Sequence, residues 1–271
     1  AGKIVSLAPD DIADKVLKKG RGGYCYEVNG LFAMALAALG IPYRFVAARP
    51  MFYPVRRPKT HMALIAEVEN RQWLCDLGFG SYGIRAPMAL DTLDVDITQD
   101  FDTFRLSRSA EGEYLLQAKV EGEWARQYGF DLTPQEWIDF VPANYLNSTH
   151  PDAIFVQKLV VVQHRPEGRQ ILLGDMLKTI TANGTETRQL AEEDIRHVLK
   201  DRFALTAAKE RAGRGFVPSA MTTVENAIDT APGHRLLRSG QRRQRRVIKR
   251  IPVAVEGIQG LYPFPEPPIR Q

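Results

Sequence analysis

The sequence predicts an α+β fold. Helical periodicity is concentrated before Gly40 and in residues 192–203, while short apolar segments bounded by turn residues fill the stretch between Tyr43 and Leu173. Strands and helices that occupy separate parts of a chain, with no visible internal repeat, point to that class rather than to alternating βαβ units.

The elements follow in order. Pro9, Asp10 and Asp11 open a helix through Ile12, Val16 and Leu17, and Lys18-Lys19-Gly20 closes it. Proline and acids suit a first turn, lysines and glycine a last one. A second helix is predicted from about Tyr24 to Leu39, with Val28, Leu31, Phe32, Ala35, Leu36 and Leu39 at helical spacing and Gly40 and Pro42 as its stop. Tyr43–Ala48, Met62–Glu69 and Gln72–Leu77 read as strands, the last two joined through Glu69-Asn70-Arg71. Phe104–Leu106, Tyr114–Val120, Glu123–Phe130, Ala153–His164 and Arg169–Leu173 are further strand candidates, with Glu121-Gly122 as a turn. Thr133-Pro134-Gln135-Glu136 has the spacing of a capping box with proline at the first helical position. Glu192–Phe203 reads as a helix with Ile195, Val198 and Leu199 on one face.

Composition excludes several classes. The chain has 271 residues, 44% of them hydrophobic and 25% charged, as in globular proteins with a full core. Two cysteines, Cys25 and Cys75, cannot make a disulfide framework, although one bridge between them is compatible with the sequence; a reducing, cytoplasmic setting is the simpler reading. No stretch approaches the ~18 apolar residues of a membrane span, and the first residues carry no apolar signal segment. Charge is uneven. Residues 207–271 hold 12 Lys+Arg against 5 Asp+Glu, a net of +7, so the total of +4 leaves −3 for residues 1–206. Seven prolines fall in this last stretch, together with Arg242-Arg243-Gln244-Arg245-Arg246, which predicts a basic, poorly ordered extension. The basicity belongs to that tail, and nucleic-acid contact is not expected of it.

The chemistry starts at Cys25. Arg21-Gly22-Gly23-Tyr24-Cys25-Tyr26-Glu27 sets a thiol at the start of a helix, where the macrodipole favours thiolate. A cysteine nucleophile needs a base, and the base needs a group that fixes its tautomer. Among five histidines, His61 begins a strand, and Asp76 lies on the next strand among Leu74, Cys75 and Leu77. A carboxylate there needs a partner. The expected arrangement has Asp76 accepting from Nδ1 of His61, with Nε2 facing Cys25. A buried cysteine or a lone histidine is more often structural, and Cys75 is assigned that role. No metal-ligand pattern is present.

Three motifs in order and spacing resemble the arylamine N-acetyltransferase family: Arg21-Gly22-Gly23-Tyr24-Cys25-Tyr26-Glu27-Val28-Asn29-Gly30, Thr60-His61-Met62-Ala63-Leu64, and Trp73-Leu74-Cys75-Asp76-Leu77-Gly78-Phe79-Gly80. Pro142-Ala143-Asn144-Tyr145, Ser148-Thr149-His150-Pro151 and Phe155 extend the likeness, which covers roughly residues 4–206. The resemblance implies Cys25 as acyl-accepting nucleophile, His61 as base and Asp76 as orienting carboxylate. It implies a ping-pong transfer from acetyl-CoA, the co-substrate, to arylamines, arylhydroxylamines or hydrazines, in the setting of xenobiotic metabolism, with no permanently bound cofactor. Phe79 matches an aromatic of the acceptor pocket; Gly78 and Gly80 allow close backbone approach, and Tyr26 is a candidate contact whose N–H could meet an oxyanion. Core packing is the expected role for the side chains of Tyr24, Tyr26 and Phe52.

The resemblance further implies a cysteine-protease-like arrangement. Residues 1–42 would be the remnant of a helical bundle, 43–140 a β-barrel domain carrying His61 and Asp76, 141–206 an α/β lid and 207–271 the extension. Relative to the family the chain reads as truncated before Ile4-Val5-Ser6-Leu7, with an atypical extension after Lys209. Two rival functions follow: a thiol hydrolase or amide-forming acyltransferase with the same triad, and an inactive remnant acting as a binding protein.

Overall fold

The computed structural model describes residues 3–205, so the expectation for residues 207–271 lies outside the described residues. Helix α1 (Pro9–Ala13) runs into a π-helical turn (Asp14–Lys18), and α2 spans Cys25–Ala38. Eight strands follow: β1 (Tyr43–Pro50), β2 (His61–Val68), β3 (Arg71–Cys75), β4 (Met88–Ala89), β5 (Ile97–Gln99), β6 (Asp102–Arg108), β7 (Tyr114–Val120) and β8 (Glu123–Phe130). They form one antiparallel sheet in the order β4-β3-β2-β1-β8-β7-β6-β5. After a 3-10 turn (Trp137–Phe140) come α3 (Val141–Thr149) and α4 (Ile154–Gln157). Strands β9 (Val160–Arg165), β10 (Gly168–Leu173), β11 (Met176–Thr181) and β12 (Gly184–Gln189) then make a second, four-stranded meander, and α5 (Glu192–Phe203) follows.

The first sheet curls around a core. Leu74 and Met88 from one end share a cluster with Phe104 and Leu106 from the other, and Val46, Leu116, Tyr128 and Phe130 fill the middle. Its end strands β4 and β5 are not hydrogen-bonded to each other, so the expected β-barrel is a curled open sheet. The other face of β1–β3 is covered by helix: Ile12, Tyr26, Ala33 and Leu36 pack with Phe45, Met62, Leu64, Trp137 and Phe140. Strand β2 is therefore buried on both faces, which accounts for its unbroken run Met62-Ala63-Leu64-Ile65-Ala66. A third cluster joins Leu172 and Leu177 to Val198, Leu199 and Phe203 of α5.

Two expectations are corrected. Ala153–His164 is not one strand: Ala153 O accepts from Val156 N and Gln157 N, giving the single turn α4 before β9 begins at Val160. A short apolar run has no periodicity that separates strand from helix. The helix expected from Pro134 starts only at Trp137, because Gln135 is held extended by its N–H to Phe45 O (3.1 Å). Strands β11 and β12 had no sequence signal; every residue of β12 is exposed, so apolar alternation is absent. The β2–β3 turn is tight, with Glu69 and Asn70 both at positive φ (53° and 59°), the pair of left-handed residues a twisted hairpin prefers.

Candidate active site

The segment before α2 is built to present one side chain. Glu27 folds back so that its carboxylate accepts from the Tyr24 N–H (3.1 Å) and pairs with Lys15 Nζ (2.5 Å), while being almost fully buried. A Cβ on Gly23 would stand 2.7 Å from Glu27 Cβ, so glycine is required there. Cys25 is then the first residue of α2 and is buried. The Tyr24 hydroxyl bonds to Asn144 and to Ser148 (3.2 Å for the latter), and the same two residues hold Val5: Asn144 Nδ2 donates to Val5 O (2.9 Å) and Val5 N donates to Ser148 Oγ (3.2 Å). Helix α3 thus fastens both the N-terminal segment and the entry to α2.

His61 stands at the head of β2, opposite Ala48 of β1. The carbonyl of Thr60, just before it, is fixed by the Tyr26 hydroxyl (2.8 Å) and Asn147 Nδ2 (3.2 Å). His61 Nε2 lies 2.7 Å from Asp76 Oδ2, and the Cys25 sulfur is near enough to favour the charged imidazole as well. This reverses the expected use of the ring: Nε2 goes to the carboxylate and Nδ1 is left for the sulfur. Asp76 comes one residue after β3 ends, so its direction is set by its own bonds and not by strand alternation.

Those bonds are numerous. Asp76 Oδ1 accepts from Asn29 Nδ2 (3.0 Å) and Gly78 N (2.9 Å). Asn29, fully buried, also donates to Met62 O (2.7 Å) and accepts from Leu77 N (2.8 Å). One amide therefore ties α2 to β2 and to the segment bearing the carboxylate. Burial works against the charged form of Asp76, but the His61 charge and hydrogen bond, with Asn29 and Gly78, hold its carboxyl below the usual 3.8. Burial alone would push the His61 imidazole down. The Asp76 carboxylate, by charge and hydrogen bond, and the Cys25 sulfur overcome it and lift the pKa to about 10. At neutral pH the site holds an imidazolium between a carboxylate and a sulfur.

Aromatic rings wall the site. Phe79 packs against His61 (5.0 Å between ring centroids) and Tyr128 (4.8 Å), and Phe52 meets Phe79 edge-on at 5.8 Å. Phe52 is 47% exposed, which corrects its expected core role: it extends the aromatic wall outward. Tyr26 is fully buried with its hydroxyl on Thr60 O, so its side chain positions His61 and touches no cleft; only its backbone N–H remains a candidate contact. Gly80, at φ 85°, accepts through its carbonyl from Gly83 N (2.8 Å) and lies 3.1 Å from His164 Nε2 of β9. Gly78 sits against the head of α2, since a Cβ on it would be 2.5 Å from Cys25 Cα. Gly78→Ala is expected to lower kcat/KM by about 10²-fold, the size of effect a misplacement near 1 Å produces. Steady-state kinetics check this, and wild-type rates would refute the close approach. Cys75 and Cys25 are both free thiols; burial pushes the Cys75 thiol up to about 11, in keeping with a structural role.

Asn29, Asn147, Tyr128 and His164 were given no role by sequence reasoning. Asn29 had a usable signal: a polar residue one helical turn after Cys25, on the same face of an apolar helix. The others reach the site only through tertiary packing. Among the described residues no group of His, Cys, Asp and Glu could hold a metal ion, and no helix is long and apolar enough to cross a membrane.

Residues 1–212 match the N-acetyltransferase family. The arylamine N-acetyltransferase of Escherichia coli is 30% identical over 81% of this chain and 78% of its own length. That of Mycobacterium tuberculosis is 34% identical over 85% and 82%. The solved structure of Mycobacterium marinum arylamine N-acetyltransferase in complex with CoA superposes with a TM-score of 0.68 at 31% identity, over 73% of this chain and 75% of that one.

Proposed function

The chain belongs to the arylamine N-acetyltransferase family and is an acetyltransferase, and we propose that it carries acetyl from acetyl-CoA to an aromatic amine through a thioester on Cys25. The observation that supports this most is the placement of His61 between Asp76 Oδ2, at 2.7 Å, and the sulfur at the head of α2. A cation beside the sulfur and the free N–H groups of a first helical turn behind it both favour negative charge there.

In the first half-reaction the Cys25 thiolate adds to the thioester carbonyl. The Tyr26 N–H, free in the first turn of α2, is placed to receive the developing oxyanion. Collapse expels the CoA sulfur, which leaves as a thiol with the proton from His61, so the acetylated site holds a neutral imidazole. In the second half an amine nitrogen adds to the acetyl carbon, and His61 takes its proton as the intermediate collapses to amide and Cys25 thiolate. The imidazolium–thiolate pair is thereby restored. An aryl amine is neutral at pH 7 and can attack without prior deprotonation. The wall of Phe79 and Phe52 suits a flat aromatic acceptor, whether arylamine, arylhydroxylamine or hydrazine.

Intact-protein mass spectrometry after brief exposure to acetyl-CoA tests the reading. The expected result is the mass gain of one acetyl group, absent in Cys25→Ala and discharged on adding an arylamine. No adduct on a folded wild-type chain would favour the inactive remnant instead. An adduct discharged equally fast by water alone would favour a thiol hydrolase.

A further inference from the structure

We propose that His164 is a positioning residue for the acceptor half of the reaction. Through its hydrogen bond to Gly80 O it fixes the loop that carries Phe79, and with it the wall against which an arylamine ring is seated. This rests on the acetyl-transfer reading above. Phe79 lies between two anchors. Before it, Leu77 N donates to Asn29 Oδ1 (2.8 Å) and Gly78 N to Asp76 Oδ1 (2.9 Å), which ties that end of the loop to α2 and the carboxylate. After it, Gly80 O accepts from Gly83 N (2.8 Å) and meets His164 Nε2 at 3.1 Å. That second anchor is supplied by the four-stranded meander.

The meander grips the loop with one face of two strands. His164 of β9 stands directly opposite Arg169 of β10, so their side chains share a face, and Val162, two residues before His164, shares it too. Along the loop the contacts fall on alternate residues. His164 meets Gly80, and Arg169 lies over the Tyr82 ring, 3.9 Å from its centroid. A Cβ on Gly80 would stand 3.6 Å from Val162 Cγ2, so β9 runs directly against that glycine. Arg169 is buried and also donates to Asp102 Oδ2 (2.7 Å), which accepts from Arg85 Nη2 (2.5 Å) as well. The ion cluster clamps β10 to β6 at the end of the curled sheet, and β10 in turn holds β9 where His164 reaches the loop.

The imidazole is suited to a fixed donor. A carbonyl can only accept, so Nε2 carries the hydrogen. Nδ1 is buried and has no hydrogen-bond partner among the described residues, which fits the bare nitrogen of a neutral ring and not a second N–H. Burial first, then the charges of Arg85 and Arg169, hold the imidazole below its usual 6.5 against the pull of Gly80 O. His61 does not depend on this contact. It is fixed by Asp76, and the Thr60 carbonyl before it by Tyr26 and Asn147. Loss of the His164 bond therefore frees Phe79 while Cys25 and His61 stay in place.

The test uses the full chain, saturating acetyl-CoA and two acceptors: aniline, which has a ring to seat on Phe79, and hydrazine, which has none. His164→Leu is expected to raise KM for aniline by roughly 3- to 10-fold, the range one net hydrogen bond spans, with kcat within about twofold. Kinetics with hydrazine should match the wild type, as should the rate of Cys25 acetylation, which also reports on folding. His164→Gln, whose side-chain N–H can reach the same carbonyl, should restore the wild-type KM. His164→Asn has its amide too short to reach, should behave as the leucine variant does, and takes its place if leucine prevents folding. In a Phe79→Leu background the His164 substitutions should change nothing further. An unchanged KM for aniline, an equal change for both acceptors, or a glutamine variant no better than leucine overturns the proposal and leaves the Cys25 reading intact. A wild type that gains no acetyl group from acetyl-CoA overturns the Cys25 reading and this proposal with it.

Discussion

Asp76→Asn is expected to lower the rate of Cys25 acetylation by about 10³- to 10⁴-fold, the size of loss seen when a triad carboxylate becomes its amide. The carboxylate is the group that keeps the buried His61 imidazole charged, at a pKa of about 10 against an ordinary 6.5. An amide removes the charge, and burial then pushes the imidazole below 6.5, so at neutral pH no cation stands beside the Cys25 sulfur. The proton inventory also bears on stability. Because the folded pKa of His61 lies above its ordinary value, its stabilising contribution is whole below about 6.5 and is lost as pH rises through about 10. Asp76, with a depressed pKa, contributes above its ordinary 3.8 and loses that contribution as pH falls through its lower folded value. The pair therefore stabilises the fold most between roughly pH 4 and 6.5. Titration of His61 by NMR should give a midpoint near 10 in the wild type and below 6.5 in Asp76→Asn. Urea denaturation should show the His61-linked alkaline loss of stability only in the wild type. A variant midpoint still near 10 would show that Asp76 is not the source of the shift.

Asn29→Ala is the second large effect. The side chain is fully buried and makes three hydrogen bonds, to Met62 O, Asp76 Oδ1 and from Leu77 N. Alanine leaves Met62 O and Asp76 Oδ1 buried without that partner, at about 1–3 kcal/mol apiece before relaxation, and frees the N–H of the more exposed Leu77. A net loss of about 3–5 kcal/mol is expected, a large share of the 5–15 kcal/mol that holds a typical domain together. Acetylation should slow as well, since Asp76 then keeps only Gly78 N on Oδ1. Chemical denaturation of both forms measures the change; a loss under about 1 kcal/mol would mean water takes over the bonds.

Much of the site was readable from residue order. A glycine turn followed by a cysteine and an apolar helical run singled out Cys25, and His61 and Asp76 followed from the requirement for a base and a partnered carboxylate; the structure brings the three together. Their use of the imidazole was read backwards, because Asp76 lies just past the end of β3, where strand alternation no longer sets direction. Strand β12 was invisible for a related reason: a strand exposed along its whole length shows no apolar pattern. Phe52 was assigned to the core because an aromatic residue carries the same apolar signal in a wall as in an interior.

Local properties were therefore set by the sequence alone: a helix starting around Tyr24 and Cys25, the turn through Glu69 and Asn70, and the family to which the chain belongs. These depend on propensity, periodicity and motif spacing, which act over a few residues. The tertiary structure decided which nitrogen of His61 meets Asp76, the part of Asn29 in joining three elements, the burial of β2 on both faces and the curl that stops short of closing. Each of those depends on groups from different elements meeting in space, from His61 and Asp76, 15 residues apart, to Asn29 and Met62, 33 apart. Strand register and packing fix such meetings, and neither is written in the local order of side chains.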